Sequence, residues 1–235
     1  MDKKYSLQHS IFLACGFALL IWFIKLFESV FGVSFSHMGV YPQTVSGFFG
    51  ILTAPLIHGS LSHTLANTLP ILLLGSMLFY GYPRSRWWVL STTWVMSGLG
   101  VWLFARSSYH IGASGVTHGL FFYLFIAGIL RRDKRSSALL MIAFFMYGTM
   151  FWSIFPQAPD ISFEYHLFGA LSGVGCAIWS SQWDPKPVEK KYSWEIETAE
   201  NDIDEEDPVI GDQWKTVLDE HSEFETANGQ YKRVF

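Results

Sequence analysis

The segment Ser114-Gly-Val-Thr-His-Gly-Leu-Phe-Phe-Tyr-Leu-Phe-Ile-Ala-Gly-Ile-Leu130 is an apolar run that ends at the adjacent cations Arg131 and Arg132. At 1.5 Å per residue, a helix of this length is close to what is needed to cross about 30 Å of bilayer hydrocarbon. Backbone groups in lipid must be hydrogen-bonded within the chain, which favours a helix over an open strand. The segment therefore predicts a transmembrane α-helix.

Five further apolar segments, at 9–31, 57–80, 87–105, 137–155 and 163–181, have a similar length. Together the six predict an all-α membrane protein, a bundle of six transmembrane helices with both termini on one side. Up to Lys191, eleven Lys and Arg residues would lie on that side, against only Lys25 and Arg106 on the other, so both termini are predicted to be cytoplasmic. No convincing small-residue cleavage site follows the first segment, which we interpret as a helix and not as a signal peptide.

The acidic residues are concentrated behind the last apolar segment. Fifteen of the 20 Asp and Glu residues follow Trp183, so that residues 184–235 have a net charge of −9 and residues 1–183 one of +5. This composition predicts a membrane domain over 1–183 and a mostly disordered acidic cytoplasmic tail over 184–235. A short amphipathic stretch at 213–224 is a candidate docking segment for a cytoplasmic partner, and neither half is typical of a nucleic-acid binder.

Polar side chains inside apolar segments are functional candidates, because they are costly to bury in lipid. Ser114, Asn67 and His166 each lie 17 or 18 residues before a charged residue that marks a cytoplasmic helix end. On parallel helices they therefore share one level, about 5 Å below the outer boundary of a 30 Å core. The i, i+4 rule places His63 one turn above Asn67 and His118 one turn below Ser114. These positions predict a shallow site that is open to water.

The sequence around Ser114 favours nucleophilic chemistry. Gly112 and Gly115 permit a tight loop, and a helix that begins here directs the Ser114 amide, at the positive end of the helix dipole, towards a developing oxyanion. A serine hydroxyl needs a base to take its proton, and His166 lies at the matching depth. His63 lies close to that level and can donate to the same oxyanion.

Asn67 is the second side-chain candidate for an oxyanion donor. The helix interiors contain no carboxylate, and Glu164 is only two residues from His166, which places the two side chains on different sides of a helix. The sequence therefore favours a Ser-His dyad over a Ser-His-Asp triad.

Three motifs in this order resemble those of the rhomboid intramembrane proteases. They are HGSLSHTLAN at 58–67, GASG at 112–115 and HLFGALSG at 166–173, and the resemblance covers about residues 45–180. It implies a six-helix rhomboid-like bundle that cleaves transmembrane helices of other proteins. It also implies Ser114 as nucleophile, His166 as base, and an oxyanion hole made by His63, Asn67 and the Ser114 amide.

Supporting positions follow from the same motifs. Gly169 and Gly173 are small residues four apart, which let helices approach closely in lipid. His118 replaces the aromatic residue that is frequent in the family and is expected either to stack on His166, to hydrogen-bond with it, or only to pack. The remaining candidates are His58, Gly112 and Gly115.

Other departures from the family pattern concern packing. Phe79 replaces a frequent Glu, the frequent Trp-Arg pair is absent around Phe48 and Phe49, and Tyr165 replaces a small residue before His166. These changes leave two features open to question: the geometry of loop one (about residues 32–56), and the packing of the helices that carry Ser114 and His166.

Three alternatives remain at this point. Some of His58, His63, His118 and His166 could bind zinc in a metal-dependent membrane hydrolase, although no HExxH motif is present. Paired histidines could instead hold a haem, or the protein could bind helices without cutting them. The preferred interpretation needs no cofactor and no metal. It places the protein in a bacterial inner membrane, with the lipid bilayer and transmembrane proteins as its partners.

Overall fold

The computed structural model describes residues 6–156, 158 and 161–187. In this part of the chain the regular elements are helices. Their bounds are α1 (Leu7–Phe31), α2 (Val45–Thr53), α3 (Leu61–Gly81), α4 (Arg86–Phe104), α5 (Ser114–Arg131), α6 (Lys134–Tyr147), α7 (Met150–Ser153) and α8 (Phe163–Ser180), with short 3₁₀ turns between some of them. Most of the predicted tail, including the stretch at 213–224, lies outside the described residues.

Three helices, α1, α3 and α5, are long and apolar enough to cross a membrane. Among the described residues, α4, α6 and α8 do not meet the same limits of length and hydropathy. The segment predicted over 137–155 is divided, because α6 has only 14 residues and α7 forms a separate turn. The all-helical fold is confirmed for the described residues, whereas the count of six crossings is not.

Capping residues determine where several helices begin. The side chains of Ser6, Ser60 and Asp133 accept hydrogen bonds from backbone N–H groups in the first turns of α1, α3 and α6. Such bonds satisfy donors that have no partner within the helix. At the other end of α1, Gly32 adopts the left-handed conformation with φ 63°, which favours glycine and ends the helix.

Helix α5 forms the centre of the bundle. Of its apolar window 72% is buried, compared with 22% for α1. A Cβ on Gly169 would overlap the Gly115 carbonyl oxygen, and one on Gly173 would overlap the Gly119 carbonyl oxygen. The close approach predicted from Gly169 and Gly173 is therefore present between α8 and α5.

Tyr165 fits beside these contacts because Gly115 has no side chain. Tyr165 is fully buried, and a Cβ on Gly115 would lie 2.6 Å from its ring. The large residue before His166 is therefore compatible with close packing of α5 and α8.

Loop one contains a helix, α2, that the sequence pattern does not predict. Its N-terminal residue is capped by Thr44, whose side chain accepts from the Gly47 N–H at 3.1 Å. The indole N–H of Trp102 in α4 donates to the Thr44 carbonyl at 2.8 Å. Val40 pairs with His110 in an isolated antiparallel bridge, so the loop is held against the segment that precedes α5. These contacts fix the loop in a chain that lacks the Trp-Arg pair.

Polar groups surround the C-terminal end of α5. They are here named the α5 C-terminal cluster (Ser85, Arg131, Asp133, Ser136 and Asp184), and all of them except the half-buried Asp133 are buried. The Arg131 guanidinium donates to Asp133 at 2.9 Å and to the carbonyls of Ser181 and Asp184. The Ser85 hydroxyl donates to the Asp184 carboxylate at 2.6 Å. The cluster thus joins the start of α4, the α5–α6 turn and the residues that follow α8.

The charge of Asp133 is favoured by this cluster. Burial raises its pKa, but hydrogen bonds from the Ser136 N–H and hydroxyl, together with the Arg131 cation, outweigh that effect and hold the pKa below its ordinary value.

Phe79 occupies the position of the Glu that is frequent in the family. Its ring lies 5.8 Å from the Arg86 guanidinium carbon.

Candidate active site

A cavity of about 800 Å³ lies at the N-terminal end of α5. It is bordered by α3, α5, α7 and α8 and by the loops before α3 and α5. Five of the candidate residues line it, namely His63, Asn67, Ser114, His118 and His166. The other candidate residues do not line it. They are His58, Gly112, Gly115, Gly169 and Gly173.

Ser114 is the first residue of α5, and Gly112 shapes the loop that precedes it. Gly112 has a φ of +110°, a conformation that favours glycine. A Cβ at this position would also lie 2.8 Å from the His63 ring. The positive φ and the short distance to His63 both favour glycine at this position. The loop therefore lies directly against the start of α3.

His58 forms a hydrogen bond with the same loop. Its Nε2 accepts a hydrogen bond from the Ala113 N–H at 3.3 Å. Burial, followed by the neighbouring His63 and Lys25, lowers the pKa of His58 to about 4. The imidazole is therefore neutral near pH 7, as acceptance of a backbone N–H requires.

His63 and Asn67 lie one turn apart on α3, on the cavity side. The Asn67 side-chain amide donates one N–H to the His63 carbonyl at 3.0 Å. An amide nitrogen has two N–H groups, so the second can serve an acceptor in the cavity. Asn67 is 6% exposed, which limits competition from bulk water.

His166 contacts two elements besides its own helix. Its Nδ1 lies 2.9 Å from the Ser153 carbonyl oxygen of α7. Its ring stacks on His118 of α5, with centroids 4.0 Å apart and planes inclined by 7°. Stacking was one of the arrangements expected for His118.

His118 uses both ring nitrogens for other partners. Nδ1 lies 2.7 Å from the Ser114 carbonyl oxygen, and Nε2 lies 2.7 Å from the Ser153 hydroxyl. The expected alternative, a hydrogen bond between His118 and His166, is not made. His118 therefore links Ser114, Ser153 and the stacked ring of His166.

Glu164 is directed away from His166. Its carboxylate lies 3.5 Å from the Arg106 guanidinium, which also donates to the Ile161 carbonyl at 2.7 Å. The partner of the His166 Nδ1 is a peptide carbonyl instead of a carboxylate.

The outer rim of the cavity contains a contact that sequence reasoning missed. His110 Nδ1 lies 2.6 Å from the Ser162 hydroxyl, and Nε2 lies 3.1 Å from the Arg106 carbonyl oxygen. Burial is the largest cause that lowers the pKa of His110, which keeps this ring neutral near pH 7. The rim thus ties the segment before α5 to the start of α8.

Ser153 was also missed. It is the polar residue in the aromatic run Met150-Phe-Trp-Ser-Ile-Phe155. A polar side chain within an apolar segment is a functional candidate by the rule that selected His118, so this residue could have been included.

The histidines do not converge on one point. His58 and His63 form an edge-to-face pair with centroids 5.0 Å apart, and His118 and His166 form a separate stacked pair. Among the described residues, no group of three or more His, Cys, Asp or Glu side chains is placed to hold a metal ion. The zinc alternative would need a rearrangement of these pairs.

Comparisons with known proteins identify the family. The Rhomboid domain model matches residues 45–183, which is more than half of the chain. Proteins of Mycobacterium tuberculosis and Mycobacterium bovis, each described as uncharacterized, are 29% identical over 170 residues, covering 68% of this chain and 71% of the relative. A protein of Mycobacterium leprae has the same identity over 68% of this chain and 67% of its own length. The chain therefore belongs to the rhomboid family of integral membrane proteins.

Proposed function

We propose that this protein is an intramembrane serine endopeptidase that cleaves transmembrane helices of other membrane proteins. The observation that carries the proposal is a single cavity lined by Ser114, His166, His63 and Asn67. A nucleophile, a base and two donors around one space are the parts that acyl transfer requires.

Ser114 is the nucleophile and His166 is the general base. The Ser114 hydroxyl attacks the scissile carbonyl carbon while its proton passes to the His166 Nε2. The tetrahedral intermediate then collapses, the C–N bond breaks, and His166 returns the proton to the leaving amine. Water attacks the acyl-enzyme in the second half of the reaction and regenerates Ser114.

The oxyanion is stabilised by His63, by the second N–H of Asn67 and by the Ser114 amide. The Ser114 amide lies in the first turn of α5, where backbone N–H groups have no partner one turn earlier in the helix. The helix dipole adds positive potential at the same place. Removing one such donor typically costs about 10²- to 10³-fold in rate.

The substrate is a transmembrane helix that enters from the side and unwinds locally. Unwinding in lipid exposes unpaired backbone groups, so helices with Gly, Pro or small polar residues near the outer boundary should be cut best. The shallow level of Ser114 inferred from the helix ends supports cleavage near that boundary. Cleavage mainly near the cytoplasmic end of a substrate helix would contradict this part of the proposal.

The proposed topology has six crossings and two cytoplasmic termini. Besides the three helices that meet the limits for a span, α4, α8 and the combined α6 and α7 supply the other crossings. The excess of Lys and Arg on one side supports the orientation and fits a bacterial inner membrane. Binding of a cytoplasmic partner by the acidic tail stays a prediction.

The test is cleavage of a generic transmembrane substrate in liposomes by the wild type and by the Ser114→Ala and His166→Ala variants. Ser172→Ala is a matched control, because this α8 serine donates to its own helix at the Gly169 carbonyl and does not line the cavity. We expect activity in the wild type and the control, and none in the two dyad variants.

The same assay separates the alternatives. Full activity in Ser114→Ala or His166→Ala would refute the dyad. Loss of activity with a chelator, while Ser114→Ala stays active, would favour the metal-dependent hydrolase. Substrate binding without cleavage by the wild type would favour a non-catalytic helix-binding protein, and a coloured purified protein would favour haem.

A further inference from the structure

We propose that Ser153 is a positioning residue for the base: its carbonyl fixes the tautomer of His166, and its hydroxyl ties α7 to His118. The inference rests on the Ser-His dyad proposed above. It assigns to a peptide carbonyl the task that a carboxylate performs in a catalytic triad.

The His166 contact defines the tautomer. A carbonyl oxygen can only accept, so the His166 Nδ1, 2.9 Å from the Ser153 carbonyl oxygen, must carry a proton. The neutral ring then has its lone pair on Nε2. This is the form of imidazole that can take the proton of the Ser114 hydroxyl.

The same reasoning fixes His118. The Ser114 carbonyl oxygen accepts from Nδ1 at 2.7 Å, so Nδ1 carries the proton. His118 is 4% exposed and no carboxylate is among its hydrogen-bond partners, so the uncharged ring is expected. Its Nε2 is then an acceptor, and the Ser153 hydroxyl donates to it at 2.7 Å.

The Ser153 hydroxyl has one proton and two possible acceptors. The second acceptor is the Met150 carbonyl oxygen of its own helix, at 3.0 Å. A neutral His118 leaves Nε2 without a donor unless Ser153 supplies it, and an unpaired buried acceptor is costly. The bond to His118 is therefore favoured over the bond within α7.

These bonds connect α7 to the rigid centre of the bundle. Helix α7 is a single turn of four residues, separated from α6 by Gly148 and Thr149, so a continuous helix does not determine its position. Through Ser153 it is bonded to His118 on α5 and to His166 on α8. Displacement of α7 would remove the acceptor that orients His166.

The α7 turn also borders the cavity. Met150 and Ser153 line it together with Ala66 and Asn67 of α3. A substrate segment that enters the cavity therefore contacts the turn that orients the base. Seating of the substrate and orientation of His166 are coupled through α7.

The experiment compares wild type, Ser153→Ala and Ser153→Thr, with Ser172→Ala as the matched serine control, in the cleavage assay described above. We expect Ser153→Ala to lower kcat about tenfold with KM unchanged, and also to lower the thermal midpoint, because the buried His118 Nε2 loses its donor. Threonine keeps the hydroxyl and should restore kcat to near the wild-type value. If Ser153 only packed, the substitution to alanine would lower the thermal midpoint and leave kcat unchanged.

A double variant tests the connection through His118. His118→Phe keeps an aromatic ring for stacking and removes both hydrogen bonds, so it should also lower kcat. If Ser153 acts through His118, adding Ser153→Ala to His118→Phe should cause little further loss. If Ser153→Ala does not fold, His118→Phe alone provides the test, with lower kcat and unchanged KM expected.

Unchanged kcat in Ser153→Ala, failure of threonine to restore it, or equal losses with and without His118 would overturn the inference and leave the dyad standing. A wild-type protein without cleavage activity, or a Ser114→Ala variant with full activity, would overturn the proposed function and this inference together.

Discussion

The two ends of α5 differ in how their polar groups are used. At the N-terminal end, Ser114 and His118 border a cavity of about 800 Å³ and contact neutral partners. At the C-terminal end, Arg131 is 2% exposed and is surrounded by a carboxylate and backbone carbonyls. The comparison indicates a division of labour along one helix: its N-terminal end borders open space for the proposed chemistry, and its C-terminal end is fixed by an ion-paired cluster.

The largest effect should come from removing the nucleophile. Ser114→Ala is expected to lower the cleavage rate about 10⁴-fold or more, because the oxygen that attacks the scissile carbonyl carbon is removed. Its thermal midpoint should stay at the wild-type value, since within residues 6–156, 158 and 161–187 no side chain forms a hydrogen bond with the Ser114 hydroxyl. Cleavage and thermal unfolding in the same detergent measure both. A large stability loss would contradict the separation of the two ends.

Asn67→Ala should have the next largest effect on activity. Loss of one oxyanion donor is expected to lower kcat about 100-fold and change KM little, because the donor acts on charge that develops in the transition state. Single-substrate kinetics measure the two constants. A rise in KM with unchanged kcat would assign Asn67 to substrate binding instead.

Arg131→Met should affect stability instead of chemistry. Removing this cation takes one of its donors from Asp133 and leaves the carbonyls of Ser181 and Asp184 without the guanidinium, and breaking a buried pair typically costs about 3–5 kcal/mol. Arg132→Met is the matched control, because Arg132 is exposed in the same turn. Denaturation in detergent should show a lower midpoint for Arg131→Met alone. Equal losses in both variants would show that the cluster is not specific.

The smallest effect concerns acid. Because the folded-state pKa of Asp133 is below its ordinary value, its contribution to stability is present above the unfolded pKa near 4 and is lost as pH falls through the folded pKa. The thermal midpoint should therefore fall as the pH drops below about 4, and less so in Asp133→Asn. A pH dependence that is identical in the two proteins would exclude this contribution.

Regular helices explain why several residues that line the cavity could be selected from the sequence. Ser114, Asn67 and His166 each lie on one continuous helix with a charged residue near its end, so counting residues gives their depth. The glycine contacts between α5 and α8 followed from Gly169 and Gly173 because small residues mark close helix approach.

The remainder depends on breaks in regular structure and on contacts distant in sequence. Ser153 lies behind the interruption at Gly148, where the helical period no longer relates it to His166. The helix α2 and the contact between His110 and Ser162 arise in loops, which lack a hydrophobic period. Asp133 is a local partner of Arg131, but the Ser181 carbonyl lies fifty residues away in the turn that follows α8, and no local pattern encodes that contact.

The most direct test of the central claim is labelling of the detergent-solubilised protein with a fluorophosphonate, followed by mass-spectrometric identification of the modified residue. Such a probe reacts with a serine only where a base activates its hydroxyl and donors stabilise the negative charge. The account predicts modification of Ser114 in the wild type, its strong reduction in His166→Ala, and its persistence in Ser172→Ala. Modification of other serines alone, or equal labelling of Ser114 in His166→Ala, would contradict it.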